Sequence, residues 1–358
     1  LYTRPAMLRI GPLALLVTLS ACDPFGTGFD DREQAVLYAS KTLEAPPNDP
    51  DELRVMTWNV KFGAGRVDFF FDCHGERGML TEAEVTTHLS GLAAKIREID
   101  PDIVVLNEIE IGSRRSSYVD QVQHLLDNTA LNHGAYAAVW RVDFVPSDGI
   151  GRMDMGNAIL ARWPLRDAER IALPLISEHD GLTQYFYLKR NLLRARVDLP
   201  SGRDPWVVAT HAAAFSQDGT KRRHIERFKA EIDALSEDGS LVIGAGDLNA
   251  LPPGSDKVRD FPDSACDERF EADDYSEETD WLAELYDAYS PAIPLDVYQG
   301  DNEPHFTHTT DGGGFWNRKL DYLFANVGLT DGRTHQDTMA LSDHAPVSAT
   351  LPRRITTP

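Results

Sequence analysis

The stretch LVIGAGDLNALPP, residues 241–253, begins as an apolar strand and ends in polar residues. Three small residues precede Asp247-Leu248-Asn249, which predicts that something large approaches the backbone there. Side chains two apart on a strand share a face, so Asp247 and Asn249 would form one oxygen-rich corner. Such a corner can hold a hard cation or orient a water. In isolation the same pattern is more often a strand end whose Asp and Asn cap a turn. The choice between these two interpretations depends on the rest of the chain.

Composition and charge bound the class of protein. The chain has 358 residues, of which 42% are hydrophobic and 9% aromatic, and this is typical of a globular protein with a sizeable core. Its formal net charge of −22 disfavours a protein that grips nucleic acid through a broad basic surface. A nuclease is still compatible with this charge, because a bound cation and a local basic rim can neutralise the charge of one phosphate.

The first part of the chain reads as a targeting segment. Two arginines precede the apolar run at residues 11–19, which is too short to span a bilayer. The following LSAC ends at Cys22 and resembles a bacterial lipobox, so we expect a signal peptide at residues 1–21 and lipid on the Cys22 thiol. A plain signal peptide or an uncleaved apolar stub are the alternatives. Residues 22–52 show little periodicity and are expected to be a tether, which predicts an exported protein anchored in the cell envelope.

The two remaining cysteines, Cys73 and Cys266, both lie in loop-like sequence. A single possible pair in an exported domain predicts a disulfide between them, and two unrelated thiols are the alternative.

Hydrophobic periodicity predicts an α/β protein with more than one sheet. A capping box at residues 81–84 starts a helical pattern that Pro101 ends, and further helical patterns follow at residues 118–130 and 225–235. Strand-like runs are distributed through both halves of the chain, so helices and strands are mixed throughout. The domain is expected to cover residues 53–352. Within it, acidic residues 250–305 are interpreted as a loop-rich excursion whose clear helix is WLAELYDAY.

The ends of the predicted strands carry a set of polar residues. Catalytic groups tend to lie at such margins, where a rigid sheet holds them. The set comprises Asn59, Glu108, His211, Asp247 with Asn249, Asp321, and Asp343 with His344.

The motifs around these residues are TWN, the Asn-Glu pair at 107–108, TH, GDLNA, LDYLF and SDHAPV. In this order they resemble the endonuclease/exonuclease/phosphatase superfamily, over residues 53–351. The resemblance implies a four-layer α/β/β/α fold: a deoxyribonuclease-like, two-sheet β-sandwich flanked by helices, with the active site at one edge. It also implies hydrolysis of a phosphodiester with the help of a divalent metal ion.

The resemblance implies a metal site built from Asn59, Glu108 and Asp343, with Glu108 as a direct ligand. A divalent cation would offset the negative charge of a phosphodiester, which otherwise repels an attacking hydroxide. Mg²⁺ prefers oxygen ligands of this kind and is the expected ion, with Mn²⁺ or Ca²⁺ as alternatives.

The resemblance also implies the catalytic roles. Asp247 would bind or orient the attacking water, and Asn249 would fix its geometry or contact phosphate. His211 and His344 would bind or protonate the phosphoryl group. Asp321 would pair with His344 and raise its pKa.

Two further positions are less clearly placed. Arg190 matches a position where the family often has a phosphate-facing arginine. Asn157 is either a residue of the site rim or, as we favour, part of an edge-strand turn.

The sequence departs from the family pattern at two places. Asn107 stands where the family often has Gln, and residues 212–214 are alanines where a leucine usually follows the TH motif. Neither change removes a reactive group, but both can reshape the pocket. The substrate of any one branch of the family therefore cannot be assigned to this protein from the resemblance.

The substrate stays open between nucleic acid, a phospholipid head group and a phosphomonoester. Nuclease-type activity is favoured, and basic clusters at residues 114–115 and 221–223 could serve it. For these clusters themselves, however, solvated helix and loop surfaces are the interpretation that we favour. The expected anchor and DGGGFWN, residues 311–317, favour a lipid, unless that loop is a packed hairpin. An inactive tethered binding protein would have lost a reactive residue, and none is lost. A monomer is expected.

Overall fold

The computed structural model describes residues 23, 25–48, 50–70, 72, 75–145, 149–200, 202–214, 216–261, 274–309 and 315–353. The α-helices in these residues are α1 (Glu82–Ile99), α2 (Gln121–Asp127), α3 (Gly181–Phe186), α4 (Thr220–Glu237), α5 (Ala283–Ala288) and α6 (Leu295–Gly300). Single 3-10 turns cover Lys61–Gly63, Glu303–His305 and Gln336–Thr338. Among the residues described, no helix has both the length and the apolar composition needed to cross a bilayer.

The described strands are β1 (Arg32–Gln34), β2 (Val36–Ala39), β3 (Glu52–Asn59), β4 (Ile103–Glu110), β5 (His133–Val145), β6 (Gly151–Ala161), β7 (Leu165–Ala172), β8 (Asn191–Val197), β9 (Trp206–His211), β10 (Val242–Asp247), β11 (Ser290–Pro291), β12 (Asp321–Ala325), β13 (Thr330–Thr334) and β14 (Val347–Pro352). They form two sheets of seven, in the orders β1-β7-β8-β9-β10-β12-β11 and β13-β14-β3-β4-β6-β5-β2. This confirms the predicted two-sheet α/β sandwich.

Three layers of apolar side chains hold the sandwich together. Alternate residues of the central strands, such as Val55, Val105 and Ala209, are fully buried between the two sheets. On the outer face of one sheet, α1 and α2 bury their apolar stripes, and on the outer face of the other, α4 and α5 do the same. Because each sheet is covered on both faces, its strands read as almost continuous apolar runs rather than alternating ones.

The tether expected at residues 22–52 is wrong for much of that segment. β1 pairs with β7 and β2 pairs with β5, so both strands extend the sheets at their edges. Further upstream, the Asp143 backbone N–H donates to the Phe25 carbonyl at 2.7 Å. Edge strands this short bind through their main chain and bury few side chains, so they leave no clear sequence pattern. The domain therefore includes residues 25–39.

The excursion expected at residues 250–305 is part of the domain and has more structure than predicted. The helix predicted in WLAELYDAY is α5, and a second short helix, α6, follows it. Between them, β11 pairs with β12 at the sheet edge. Leu282 and Leu285 pack into the apolar layer under α4. Residues 262–273 lie outside the described part of the chain.

The small residues before Asp247 are explained by two close approaches of the protein itself. A Cβ added at Gly244 would lie 2.3 Å from the Ile232 side chain of α4. A Cβ added at Gly246, whose φ is +141°, would lie 1.9 Å from the Thr210 carbonyl oxygen on β9. The large group that was predicted to approach the backbone here is therefore the protein itself: helix α4 packs against Gly244, and strand β9 packs against Gly246.

We expect Gly246→Ala to destabilise the fold by about 3 kcal/mol, because the added methyl cannot coexist with the Thr210 carbonyl. Gly300→Ala is the matched control, since a Cβ there meets nothing within 4 Å, and it should change stability by less than about 0.5 kcal/mol. Urea unfolding followed by circular dichroism measures both. Equal unfolding midpoints for the two variants would contradict the packing of β10 against β9.

Candidate active site

The polar strand ends lie together at one edge of the sandwich. β3 and β4 run parallel in one sheet, with Asn59 opposite Asn107. β9 and β10 run parallel in the other, with His211 opposite Asp247, and β12 is antiparallel to β10, with Asp321 also opposite Asp247. Because parallel strands end on the same side, the two sheets deliver their terminal side chains to a single crevice.

One carboxylate oxygen, Oδ2 of Asp247, lies at the centre of this crevice. The Asn59 amide Nδ2 donates to it at 3.1 Å. Nε2 of His211 lies 3.4 Å from the same oxygen, and Nε2 of His344 lies 3.7 Å from it. The side chain of Asp247 is 1% exposed, so these contacts are its immediate surroundings.

Glu108 reaches the same centre from the other sheet through a local break in strand pairing. The register between β4 and β6 shifts between Leu106 and Ile109, and Glu108 has a φ of +57°. Such a bulge re-aims one side chain without ending the strand. Its Oε1 accepts from Asn59 Nδ2 at 3.3 Å and lies 3.9 Å from His211 Nε2. One amide group thus joins two carboxylates from different sheets.

The predicted partnership of Asp321 and His344 is present in the structure. Nδ1 of His344 lies 2.7 Å from Oδ2 of Asp321, and both side chains are buried. This contact places the proton on Nδ1 and leaves Nε2 facing Asp247. Trp58 fixes the same segment, since its Nε1 donates to the His344 carbonyl at 2.8 Å.

Asp247 and Asn249 lie close together, but not through strand alternation. β10 ends at Asp247, and Asn249 has a left-handed φ of +49°. The Asn249 backbone N–H donates to Oδ1 of Asp247 at 2.9 Å, and its Nδ2 donates to the Ala212 carbonyl at 3.1 Å. The two residues therefore form a tight turn, in which Asn249 holds the carboxylate and the TH segment in place.

Asn107 connects the two sheets directly beneath the site. Its Oδ1 accepts from the Asp247 backbone N–H at 3.0 Å, and its Nδ2 donates to the Thr210 carbonyl at 3.0 Å. Nδ2 also donates to Oδ1 of Asn157 at 2.8 Å, and Asn157 in turn donates to Asn191 at 3.2 Å. Asn157 is fully buried on β6, so the edge-strand turn that we favoured for it is wrong.

Arg190 immediately precedes β8 and is 9% exposed, and its charge interacts with Glu108 and Asp247. Its Nη1 is buried and has no hydrogen-bond partner among the described residues. A buried guanidinium stays charged, so this nitrogen is free to meet an anion.

Two residues of the site, Lys61 and His308, were not predicted from the sequence. Lys61 is buried, with its Nζ 2.9 Å from Oδ2 of Asp72 and 3.7 Å from Oδ2 of Asp343. The ring of His308 packs on that of His344 with centroids 4.3 Å apart. Lys61 stands two residues after Asn59 in the TWN segment, and this proximity was the available signal. His308 precedes the last strands in a loop that carries no strand-end pattern.

The charges of the site shift the pKa values of its members in opposite directions. Burial lowers the pKa of His211 well below its usual range, and Arg190 adds to this, so its imidazole is neutral. Burial also lowers the pKa of His344, but Asp321 and Asp247 outweigh it and raise the pKa, so this imidazole is protonated. Burial raises the pKa of Asp247 and of Glu108, because neither carboxylate is fully compensated.

The donor set suits a divalent cation. Asp247, Asp321 and His344 place ligand atoms within 4.8 Å of one another, and so do His308, Asp343 and His344. About a quarter of the Glu108 side chain is exposed, so its carboxylate is accessible beside Asp247. Asn59 uses its amide nitrogen on both carboxylates and its oxygen on the Lys61 N–H, at 3.1 Å. This geometry favours a positioning role for Asn59, and its role as a ligand stays a prediction.

Three predicted modification sites lie outside the described residues. They are Cys22, Cys73 and Cys266, so the lipid anchor and the disulfide stay predictions.

Residues 56–344 match the model of the endonuclease/exonuclease/phosphatase family. The chain belongs to this family. Members of the family hydrolyse phosphoester bonds and use divalent metal ions, so this protein is a phosphoester hydrolase. No curated protein matches the chain.

Solved structures show the same family fold. An endonuclease/exonuclease/phosphatase from Beutenbergia cavernae is 23% identical with a TM-score of 0.55, covering 85% of this chain and 72% of that one. The human Nocturnin catalytic domain with bound sulfate is 17% identical with a TM-score of 0.52, covering 85% and 95%. D. rerio TDP2 humanised by 14 mutations is 16% identical with a TM-score of 0.50, covering 84% and 99%.

The segment after His211 is held by a buried histidine of fixed tautomer. The Ala213 N–H donates to Nδ1 of His224 at 3.2 Å, and Nε2 of His224 lies 2.8 Å from the Pro174 carbonyl oxygen. Nδ1 must therefore be the acceptor and Nε2 the donor. Burial lowers the pKa of His224 to about 4.

We expect His224 to make the fold acid-sensitive. The unfolded state binds a proton below a pKa of about 6.5, whereas the folded state stays neutral, so stability is lost as the pH falls from there towards 4. Between pH 7 and pH 5 the loss should be about 2 kcal/mol smaller in His224→Gln than in the wild type, by urea unfolding. The difference between pH 8 and pH 9 serves as the control and should be the same in both proteins. An unchanged acid response in the variant would refute the assignment.

Proposed function

We propose that the protein is a divalent-metal-dependent phosphodiesterase of the nuclease type, in which Asp247 assists the attack of water on phosphorus. One observation carries the proposal: Oδ2 of Asp247 lies between the Asn59 amide and the Nε2 atoms of His211 and His344, at 3.1 to 3.7 Å. A carboxylate facing two imidazoles of different charge can accept a proton while its neighbours bind an anion.

The metal would be held by Glu108 and Asp247, whose oxygens share the Asn59 amide. Carboxylate ligands favour Mg²⁺, and Mn²⁺ and Ca²⁺ fit the same set. When bound, the ion would neutralise phosphate charge and lower the pKa of the attacking water. It would also relieve the uncompensated burial that raises the pKa of Glu108.

The protein side chains supply the remaining steps. Asp247 orients the attacking water and accepts its proton as the new P–O bond forms and the P–O bond to the leaving oxygen breaks. His344 is positively charged and donates from Nε2 to a phosphoryl oxygen or to the leaving oxygen, while Asp321 holds its Nδ1 proton. His211 is neutral and contributes one N–H hydrogen bond. Arg190 offers its unpartnered Nη1 to the phosphate charge.

The basic clusters that favoured a long nucleic acid do not form a free cationic surface. Lys221 is buried against Glu278 at 2.8 Å, and Arg222 pairs with Glu226 at 2.9 Å. Arg115 is buried in a pair with Glu110 at 2.6 Å. Arg223 pairs with Asp218 at 3.4 Å, whereas Arg114 donates to the Gly149 carbonyl at 2.9 Å, so four of the five cations of these clusters face a carboxylate. We therefore expect most phosphate contacts to lie in the crevice and at its rim. A short single-stranded segment or a flexible diester fits this limit better than a long duplex.

The tryptophan of the DGGGFWN segment is engaged within the fold. Trp316 is half-buried and its Nε1 donates to the Gln336 carbonyl at 2.9 Å. Residues 311–314 of this segment lie outside the described part of the chain. The phospholipid alternative therefore rests on the expected anchor at Cys22. We propose that this anchor holds a monomeric, exported enzyme in the cell envelope, since all the site residues come from one chain.

The activity itself is tested with bis-p-nitrophenyl phosphate. We expect hydrolysis with Mg²⁺ or Mn²⁺, none after chelation, and a loss in kcat of at least ~100-fold in His344→Ala. Glu226→Ala changes an exposed residue of α4 that pairs with Arg222, and it should leave kcat unchanged. Hydrolysis that persists in chelator, or in His344→Ala, would overturn the proposed mechanism.

The substrate is tested with DNA, RNA, sphingomyelin and inositol phosphates side by side. Because few phosphates beyond the scissile one can be bound, a nucleic acid substrate should show a weak salt dependence. The slope of log kcat/KM on log salt should be about −1 to −2, and short oligonucleotides should be cleaved as well as long ones. A slope steeper than about −4 would require a cationic track and would contradict the confined contact. Preferential cleavage of sphingomyelin would favour the lipid alternative.

A further inference from the structure

Lys61 places a fixed positive charge inside the crevice. It follows β3 in a turn where its own φ is +41°, and its side chain is 7% exposed. A left-handed φ is rare for a residue with a long side chain, so the surrounding contacts must hold it. The turn brings Nζ within 2.9 Å of Oδ2 of Asp72 and 3.7 Å of Oδ2 of Asp343.

Both carboxylates that face Lys61 are already engaged by other donors. Oδ2 of Asp72 also accepts from the Phe69 N–H at 2.8 Å. Oγ of Ser342 lies 3.2 Å from Oδ1 of Asp343 and 2.8 Å from the Asn59 carbonyl oxygen, so its single proton is shared between these two acceptors. Asp343 is therefore oriented by the Ser342 hydroxyl on one oxygen and by an ammonium on the other.

Asp343 is also surrounded by other positive groups. His344 follows it, and the charges of Lys61, His344 and Arg66 all attract its carboxylate. Arg66 is fixed nearby, because its Nη1 donates to the Thr309 carbonyl at 3.0 Å. A divalent ion on Asp343 would lie within a few ångströms of the Lys61 ammonium, and like charges at that distance repel strongly in a buried site.

We propose that the Lys61 ammonium is a built-in cation that takes the place of a second metal ion, so that the crevice binds one divalent ion, on Glu108 and Asp247. The inference rests on the proposed metal-dependent function. Asp343 then positions Lys61 and the His344 segment and does not bind metal. Lys61 differs from Lys319, a buried lysine whose Nζ donates to the backbone carbonyl of Asp321 at 2.8 Å.

The test is the stoichiometry of Mn²⁺ binding to the metal-free, full-length protein, by isothermal titration calorimetry and by electron paramagnetic resonance. We expect one Mn²⁺ per wild-type chain. Asp343→Asn should keep one ion with a Kd within threefold of the wild type, whereas Glu108→Gln should weaken binding at least tenfold. Two ions in the wild type, with one lost in Asp343→Asn, would overturn the proposal.

A second test removes the Lys61 ammonium and counts the Mn²⁺ ions that the variant binds. Lys61→Met removes the ammonium that Asp72 and Asp343 share, and the variant should gain a second, weaker Mn²⁺ site. Lys319→Met is the matched control and should still bind one ion. A folded Lys61→Met protein that binds a single ion would contradict the proposal, and if this variant does not fold, the Asp343→Asn result decides. A wild type that binds no Mn²⁺ would instead refute the metal-dependent function as a whole.

Discussion

The site depends on one buried contact between the two sheets. Asn107 comes from β4, yet it bonds the backbone of β9 and β10 through its amide oxygen and nitrogen. Apolar packing fixes the separation of the sheets but is non-directional, so it cannot fix their alignment along the strands. A hydrogen-bonded amide can, because a shift of about an ångström breaks it and leaves buried polar groups unsatisfied. The distance between Glu108 and Asp247 is therefore set by Asn107.

A second constraint is the balance of charge in the crevice. Four carboxylates, from Glu108, Asp247, Asp321 and Asp343, share a small volume with few positive partners. Buried carboxylates are costly unless they are paired, so each is joined to a donor or cation. His344 approaches two of them, Asp247 and Asp321, and Lys61 approaches Asp343. The negative charge left on Glu108 and Asp247 suits this corner to the divalent ion proposed above.

Much of this arrangement could be predicted from the sequence, and the reasons for the rest are physical. The strand-end residues were identifiable because strands of one direction end together, and Asp321 and His344 were placed as partners. The edge strands β1 and β2 were missed because main-chain pairing has no side-chain signature. Asn157 was misplaced because a buried amide network is formed by residues far apart in sequence. Lys61 was missed because lysine side chains are normally exposed to solvent, and only the folded structure shows that this one is buried.

The folded domain begins only a few residues after Cys22, and this limits the distance between the enzyme and a bilayer to which Cys22 would be anchored. A flexible segment of thirty residues would let the catalytic crevice sample a wide shell above the surface. The domain is already in contact with the chain at Phe25, whose backbone N–H donates to the Tyr185 hydroxyl at 3.3 Å. If Cys22 bears lipid, the three intervening steps span at most about 10 Å. The enzyme would then act as a surface-bound catalyst, with access only to phosphodiesters that come to the membrane.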